Sequence, residues 1–227
     1  MSDAIAVLGM HRSGTSCLTG LLEQAGVFLG PVITKSPWNP RGNRENPRIM
    51  ALHEELLACN GGGWDAPPTS VTWPTESRRA RDDIIESYAH MPIWAFKDPR
   101  TLLVLDGWLE ALPNLQLVGI FRHPLLVAES LQRRNGFSLT KGVHLWCTYN
   151  EILLAYHRRY WFPILSFDSE AFLDDFVRLT GQLRLPAPGD GAGTFFEPEL
   201  THRTPAVAFP LDHESARLYR VLQCIAI

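Results

Sequence analysis

The opening of the chain limits its fold more than any other segment: a short apolar run, a glycine-bearing turn and a helical pattern follow one another directly. Residues 4–8, Ala-Ile-Ala-Val-Leu, are apolar without interruption, as a strand buried on both faces of a parallel sheet must be. Gly9-Met-His-Arg-Ser-Gly-Thr-Ser16 comes next. Residues 13–25 then carry Leu18, Leu21, Leu22 and Ala25 at helical spacing, and Gly26 ends the helix. A strand that turns through glycine into a helix aims unbonded backbone N–H groups, and the positive end of the helix dipole, at one point. That point is a site for an anion.

The remaining chain repeats the alternation. Strands are predicted at 93–96, 115–121 and 163–167. Asn46 caps a helix with Pro47 in its first turn and Ile49, Leu52, Leu56 and Leu57 on one face. Thr75 or Ser77 caps a polar helix ending near His90. Further helices are predicted at 102–112, 124–134, 139–160 and 170–183, and a last one starts at Asp212. The expectation is a single α/β domain over residues 1–227, in three layers, with a central and mostly parallel sheet of about five strands. Two loops rich in Pro, Gly and Trp, 31–46 and 64–74, interrupt the pattern.

Composition excludes some classes of function. Net charge is −3, whereas a nucleic-acid binder usually presents a basic face, so no nucleic-acid partner is expected. No apolar run approaches the ~20 residues of a membrane span. Met1-Ser2-Asp3 begins neither a basic patch nor a long apolar run, so no leader is expected. Cys17, Cys59, Cys147 and Cys224 are far apart and match no zinc or CxxC spacing. Cys17, Cys147 and Cys224 lie among apolar residues and are expected as buried thiols in a reducing, cytoplasmic setting. Lys35, Lys97 and Lys141 are the only lysines beside 18 arginines. Arginine forks onto phosphate and sulfate oxygens, although coding bias yields the same excess.

The turn has the spacing of a P-loop, but Thr15 stands where the phosphate-binding lysine belongs. Arg12 enters the turn and supplies a cation instead. Arg-Ser-Gly-Thr-Ser in this setting resembles the 5′-phosphosulfate loop of sulfotransferases that use 3′-phosphoadenosine 5′-phosphosulfate (PAPS). The resemblance implies that His11, Arg12, Ser13, Gly14, Thr15 and Ser16 hold the 5′ end of that donor. It also implies a 3′-phosphate site made by an Arg at a strand end and a Ser eight residues on, which Arg122 and Ser130 match. The two anchors would then measure the nucleotide's length along the carboxyl edge of the sheet, where open parallel sheets bind ligands.

The likeness runs from about residue 5 to 167 and is nearest the compact bacterial-type branch. That branch also carries segments like Lys97-Asp-Pro-Arg100 and Trp146-x-x-Tyr-Asn150. Glu197 to Arg203 loosely resembles a late donor-covering segment, which would bring Arg203 to the 3′-phosphate. A cytosolic branch has Lys-Thr-His near Lys97-Asp98-Pro99. Proline holds the His place here, so a His-based mechanism does not carry over.

Sulfuryl transfer needs in-line oxygens, cations on the leaving phosphate and a base for the acceptor. Arg12 and Lys97 are the expected cations, and Glu45 the expected base. Asp98, His11 and His53 are the alternatives for the base, while His123 is expected to be structural. A sulfuryl group carries less charge than a phosphoryl group, so no metal is expected. The acceptor, a small molecule or glycan, would sit between the two loops. There Trp38, Trp64 and Trp73 either stack on a ring or pin the loops to the core. PAPS is the expected co-substrate and 3′-phosphoadenosine 5′-phosphate (PAP) the product. A nucleotide kinase or ATPase would need a lysine at Thr15 and a Mg²⁺ carboxylate, and a non-catalytic nucleotide-binding module remains the other alternative. Oligomeric state is not legible.

Overall fold

The computed structural model describes residues 3–36, 41–186, 195–196 and 204–227. Four parallel strands form one sheet in the order β2-β1-β3-β4: β1 is Asp3–Leu8, β2 Ile93–Lys97, β3 Gln116–Phe121 and β4 Ile164–Ser166. Side chains alternate across it. Ile5, Val7, Ala95, Val118, Ile120 and Leu165 join one core with α1 (Thr15–Gln24) and α7 (Phe172–Gln182). Ala4, Ala6, Leu8, Trp94, Phe96, Leu117 and Phe121 join the other, under α2 (Pro47–Cys59), α4 (Thr101–Ala111) and α6 (Leu139–Tyr160). The continuous apolar runs thus feed two cores at once, and the three-layer α/β expectation holds.

The strand count differs from the expected five. Beyond β2 the sheet gains only Phe28, which donates from its amide to the Ile93 carbonyl (3.3 Å) and accepts from the Ala95 amide (2.9 Å). Gly26 and Gly30, at φ 90° and 73°, turn the chain on either side of this contact, so it cannot lengthen into a strand.

Helix ends follow the chemistry of their caps. Asn46 accepts from Arg48 N (2.9 Å), Ser138 from Lys141 N (3.1 Å) and Asp212 from Ser215 N (2.8 Å). The last of these opens α8 (His213–Ile225). α5 (Pro124–Asn135) begins on proline and closes on Gly136 in the left-handed region, φ 70°. α3 (Thr75–Ser87) departs from expectation: Pro74 occupies the capping position, and Thr75 is already helical. Cys17 and Cys147 are half-buried thiols, but Cys224 is exposed. α8 buries Leu218 and Leu222, and Cys224 lies about 200° around the helix from Leu222.

α5 and α6 pack so closely that a Cβ on Gly142 would stand 2.7 Å from the Ala128 Cα. Gly142→Val is expected to destabilise the protein by about 1–3 kcal/mol, read as a lower urea midpoint at unchanged m-value.

Candidate active site

The turn after β1 is shaped by two left-handed residues, Arg12 at φ 68° and Gly14 at φ 88°. A side chain on Gly14 would run into the Phe167 ring, and one on Gly9 into the Ile120 carbonyl. Both positions therefore require glycine. α1 starts at Thr15 with no side-chain cap and no acidic residue in its first turn. Its leading N–H groups have no partner within the helix, which leaves an electropositive terminus at the carboxyl end of the central strand. Ser13 is fully buried and its hydroxyl has no hydrogen-bond partner among the described residues. A buried hydroxyl left so inside an anion-shaped turn fits a ligand oxygen.

Arg122 leaves the end of β3, the neighbour of β1, so Arg122 and the turn share one rim. Their contact is direct. Arg12 Nε donates to Ser130 Oγ at 2.8 Å, and Arg122 Nη1 reaches the Arg12 carbonyl at 3.5 Å. The guanidinium of Arg12 thus stands at the second anchor, closer than a nucleotide's length. Arg122 is oriented by Asp168, which accepts from its Nε (3.2 Å) and from the His123 amide (2.6 Å). The Arg122 guanidinium also lies 5.4 Å over the Phe167 ring. Trp146 Nε1 fixes the turn from below through the Arg122 carbonyl (2.8 Å). Burial, then repulsion from Arg134, Arg122 and Arg133, pushes the Arg12 guanidinium down to about 10. Burial likewise lowers Arg122, with Asp168 opposing. Cations gathered this way attract an anion.

A second group faces the turn from β2. Lys97 Nζ donates to Glu45 Oε1 (2.6 Å) and to Ser16 Oγ (3.2 Å). Asn43 Nδ2 donates to Glu45 Oε2 (2.8 Å), and Ser16 Oγ donates to the Asn43 carbonyl (3.1 Å). Lys97 is 1% exposed and Glu45 7%, so this is a buried ion pair. Burial lowers the Lys97 ammonium below its ordinary range, while Glu45 and Asp98 pull it back up. Expected cation, expected base and the start of α1 are therefore in mutual contact.

A scan against protein-family models finds no match, and a search of curated proteins finds none. Among solved structures, the sulfotransferase domain of the Synechococcus PCC 7002 olefin synthase superposes with a TM-score of 0.58. It covers 98% of this chain and 95% of its own, at 16% identity. The chain has the sulfotransferase fold. A sulfotransferase from Mycobacterium tuberculosis, STF1, aligns at a TM-score of 0.40 and 15% identity, over 97% of this chain and 71% of its own.

Within the sulfotransferase fold of this chain the other candidates separate cleanly. Asp98 is fully buried and spends its carboxylate on the Arg100 amide (2.8 Å) and guanidinium (2.9 Å). Burial alone would raise its carboxyl, but His53 and Arg100 outweigh that and hold it below the usual range. His53 accepts from Trp108 Nε1 (2.9 Å) in the core, and His123 caps α5 by accepting from Leu125 N (3.2 Å). His53 is fully buried with its Nδ1 3.7 Å from Asp98 Oδ2, and His123 spends its Nδ1 on the cap. Trp73 is buried against Gly107 and Trp108, a pin for its loop. Trp64, half-buried, packs against His11 (4.4 Å) and Phe137 (5.8 Å). Trp38 and Arg203 lie outside the described residues. Among the described residues no His, Cys, Asp or Glu group has the makings of a metal site, and no helix is long and apolar enough to cross a membrane.

Sequence reasoning missed Asp168, Asn43 and the bonds made by α6. Asp168 was findable, since it follows the fourth strand at the same edge as Arg122. Trp146 and Tyr149 are three apart on one helical face, and the Tyr149 hydroxyl donates to the Trp64 carbonyl (2.8 Å). The segment that matched by resemblance therefore ties α6 to both the Arg122 turn and the 64–74 loop.

His11 carries a testable signature. Burial pushes its imidazole from 6.5 down to about 3, with Asp98 opposing and the nearby cations adding to the fall. The folded protein thus leaves His11 neutral where the unfolded chain takes up a proton. Its contribution is intact above about 6.5 and is lost as pH falls toward 3. The urea midpoint of the wild type should drop more steeply between pH 6.5 and 4 than that of His11→Phe. Parallel curves would remove the buried neutral imidazole.

Proposed function

We propose that this protein is a PAPS-dependent sulfotransferase acting on an acceptor hydroxyl, with PAP as the second product. The observation that carries the reading is the contact between Arg12 and Ser130 at 2.8 Å, with Arg122 beside it. It joins an anion-binding helix terminus to a second cationic pocket on the neighbouring strand. A nucleotide with a phosphate at each end of its ribose matches such a pair, and the sulfotransferase fold agrees with it. The missing P-loop lysine and the second pocket both disfavour a nucleoside triphosphate.

In this reading the amides that open α1, with Ser13, Thr15 and Ser16, hold the 5′-phosphosulfate. Arg122, Ser130 and Arg12 hold the 3′-phosphate, and Arg203 belongs to the same proposal by resemblance alone. The acceptor oxygen attacks sulfur as the bond from sulfur to the bridging phosphate oxygen breaks. The departing electron pair goes to the 5′-phosphate of PAP, where Lys97 and the helix terminus neutralise it. Glu45 takes the acceptor's proton. Lys97 and Asn43 hold the Glu45 carboxylate aimed beforehand, so little reorganisation remains for the reaction itself. The fold neighbour and the free thiols fit a small-molecule acceptor and a reducing, cytoplasmic setting, both of which stay within this proposal.

Calorimetric titration with PAP is expected to give one site, with ADP binding far more weakly. Arg122→Ala should weaken PAP roughly ten- to a hundredfold, the loss of a charged hydrogen-bonded contact. Unchanged affinity would remove the second anchor. Glu45→Gln should bind PAP as the wild type does yet turn over about 10²–10⁴ times more slowly. Turnover that survives this substitution would assign the base elsewhere.

A further inference from the structure

The acceptor side of the site carries one polar atom that its own surroundings leave unused. Among the described residues Asn43 Oδ1 is buried and has no hydrogen-bond partner, although its amide nitrogen holds Glu45 Oε2 at 2.8 Å. The orientation of this amide is not arbitrary. Turning it over would set Oδ1 against the Glu45 carboxylate, two acceptors with no proton between them, so Nδ2 must face Glu45 and Oδ1 must face away.

The segment that carries both residues is tightly built. Gly42 and Arg44 are left-handed, at φ 75° and 54°, and a Cβ on Gly42 would collide with the Thr34 backbone. Arg44 N donates to the Ile33 carbonyl (3.1 Å) and Ile33 N to the Glu45 carbonyl (3.0 Å), so residues 42–45 are fastened to residue 33 on both sides. Arg44 Nε also pairs with Glu23 of α1 at 3.3 Å. A non-glycine residue kept left-handed by its surroundings is a strain that such segments hold where geometry matters. Its result here is to set the Asn43 side-chain amide against the Glu45 carboxylate, with the amide oxygen on the same carbon as the bonded nitrogen.

We propose that Asn43 is a specificity-determining residue, and that the acceptor is a 1,2-diol, the hydroxyl pair found on sugar rings and polyols. This rests on the sulfotransferase reading given above. The reacting hydroxyl is placed at Glu45. The neighbouring hydroxyl donates its proton to Asn43 Oδ1, which has a vacant lone pair and no proton to give. An acceptor with a single hydroxyl leaves Oδ1 buried and unbonded in the complex, and sites that make such a bond discriminate strongly against the analogue that lacks it. Only the first hydroxyl reacts. The second keeps its proton, and no co-reactant beyond PAPS is needed.

The test compares trans-1,2-cyclohexanediol and methyl α-glucopyranoside with cyclohexanol, using PAPS as donor and PAP titration as a folding control. The wild type should transfer to the two diols with a kcat/KM at least roughly tenfold above that for cyclohexanol. Asn43→Ala should erase that preference mainly through the KM of the diols, while binding PAP as the wild type does. Equal transfer to all three alcohols, no transfer to either diol by a protein that binds PAP, or a preference that survives in Asn43→Ala would each overturn the proposal. A wild type that fails to bind PAP overturns the sulfotransferase reading itself, and the diol assignment with it.

Discussion

Positive charge gathered at one rim, against its own repulsion, is the constraint on which the site depends. Arg12, Arg122, Arg133 and Arg134 act on one another, and a buried ammonium at Lys97 faces the same turn. The fold answers each in a specific way: Ser130 holds Arg12, Asp168 holds Arg122, and Glu45 holds Lys97. Of these three partners only Asp168 and Glu45 are carboxylates. The rim keeps the electropositive character that the start of α1 begins. Strand order makes this possible, because β1 lies between β2 and β3. Residues leaving the carboxyl ends of three adjacent strands, Lys97, the Gly9–Ser16 turn and Arg122, therefore meet without any long-range bending of the chain.

α6 is the frame behind that rim. Its 22 residues lie between Ser138 at the cap and Trp161, which closes the helix in the left-handed region. Trp146 and Tyr149 bond to backbone carbonyls of the Arg122 turn and of the 64–74 loop. Asn150 Nδ2 bonds within its own helix, to the Trp146 carbonyl (2.8 Å). A rigid helix that grips two loops by their main chain holds their side chains in position.

Much of the architecture was legible in the sequence because its signals are local. Continuous apolar runs located all four strands, and Asn46 and Asp212 located helix starts by a hydrogen bond reaching two or three residues on. The errors have physical causes of the same scale. The start of α3 has no capping side chain, so the threonine and serine that draw attention there lie inside the helix. The sheet stops at four strands rather than about five, and beyond β2 only Phe28 joins it, because glycines bend the chain on both sides. Within the site, the Gly9–Ser16 turn was readable from its own spacing. The pairing of Lys97 with Glu45 was not, since the two are 52 residues apart and only the folded sheet joins them. Asn43 carried no signal at all until its neighbours had been located.

Ser16 has one hydroxyl proton, and it is already committed. It goes to the Asn43 carbonyl, while a lone pair of the same oxygen receives Lys97. An oxyanion arriving at the start of α1 can be met by that hydroxyl only if the proton leaves Asn43. An oxyanion that takes this proton thus loosens the tie between α1 and residue 43, and the exchange works in both directions because it is one equilibrium.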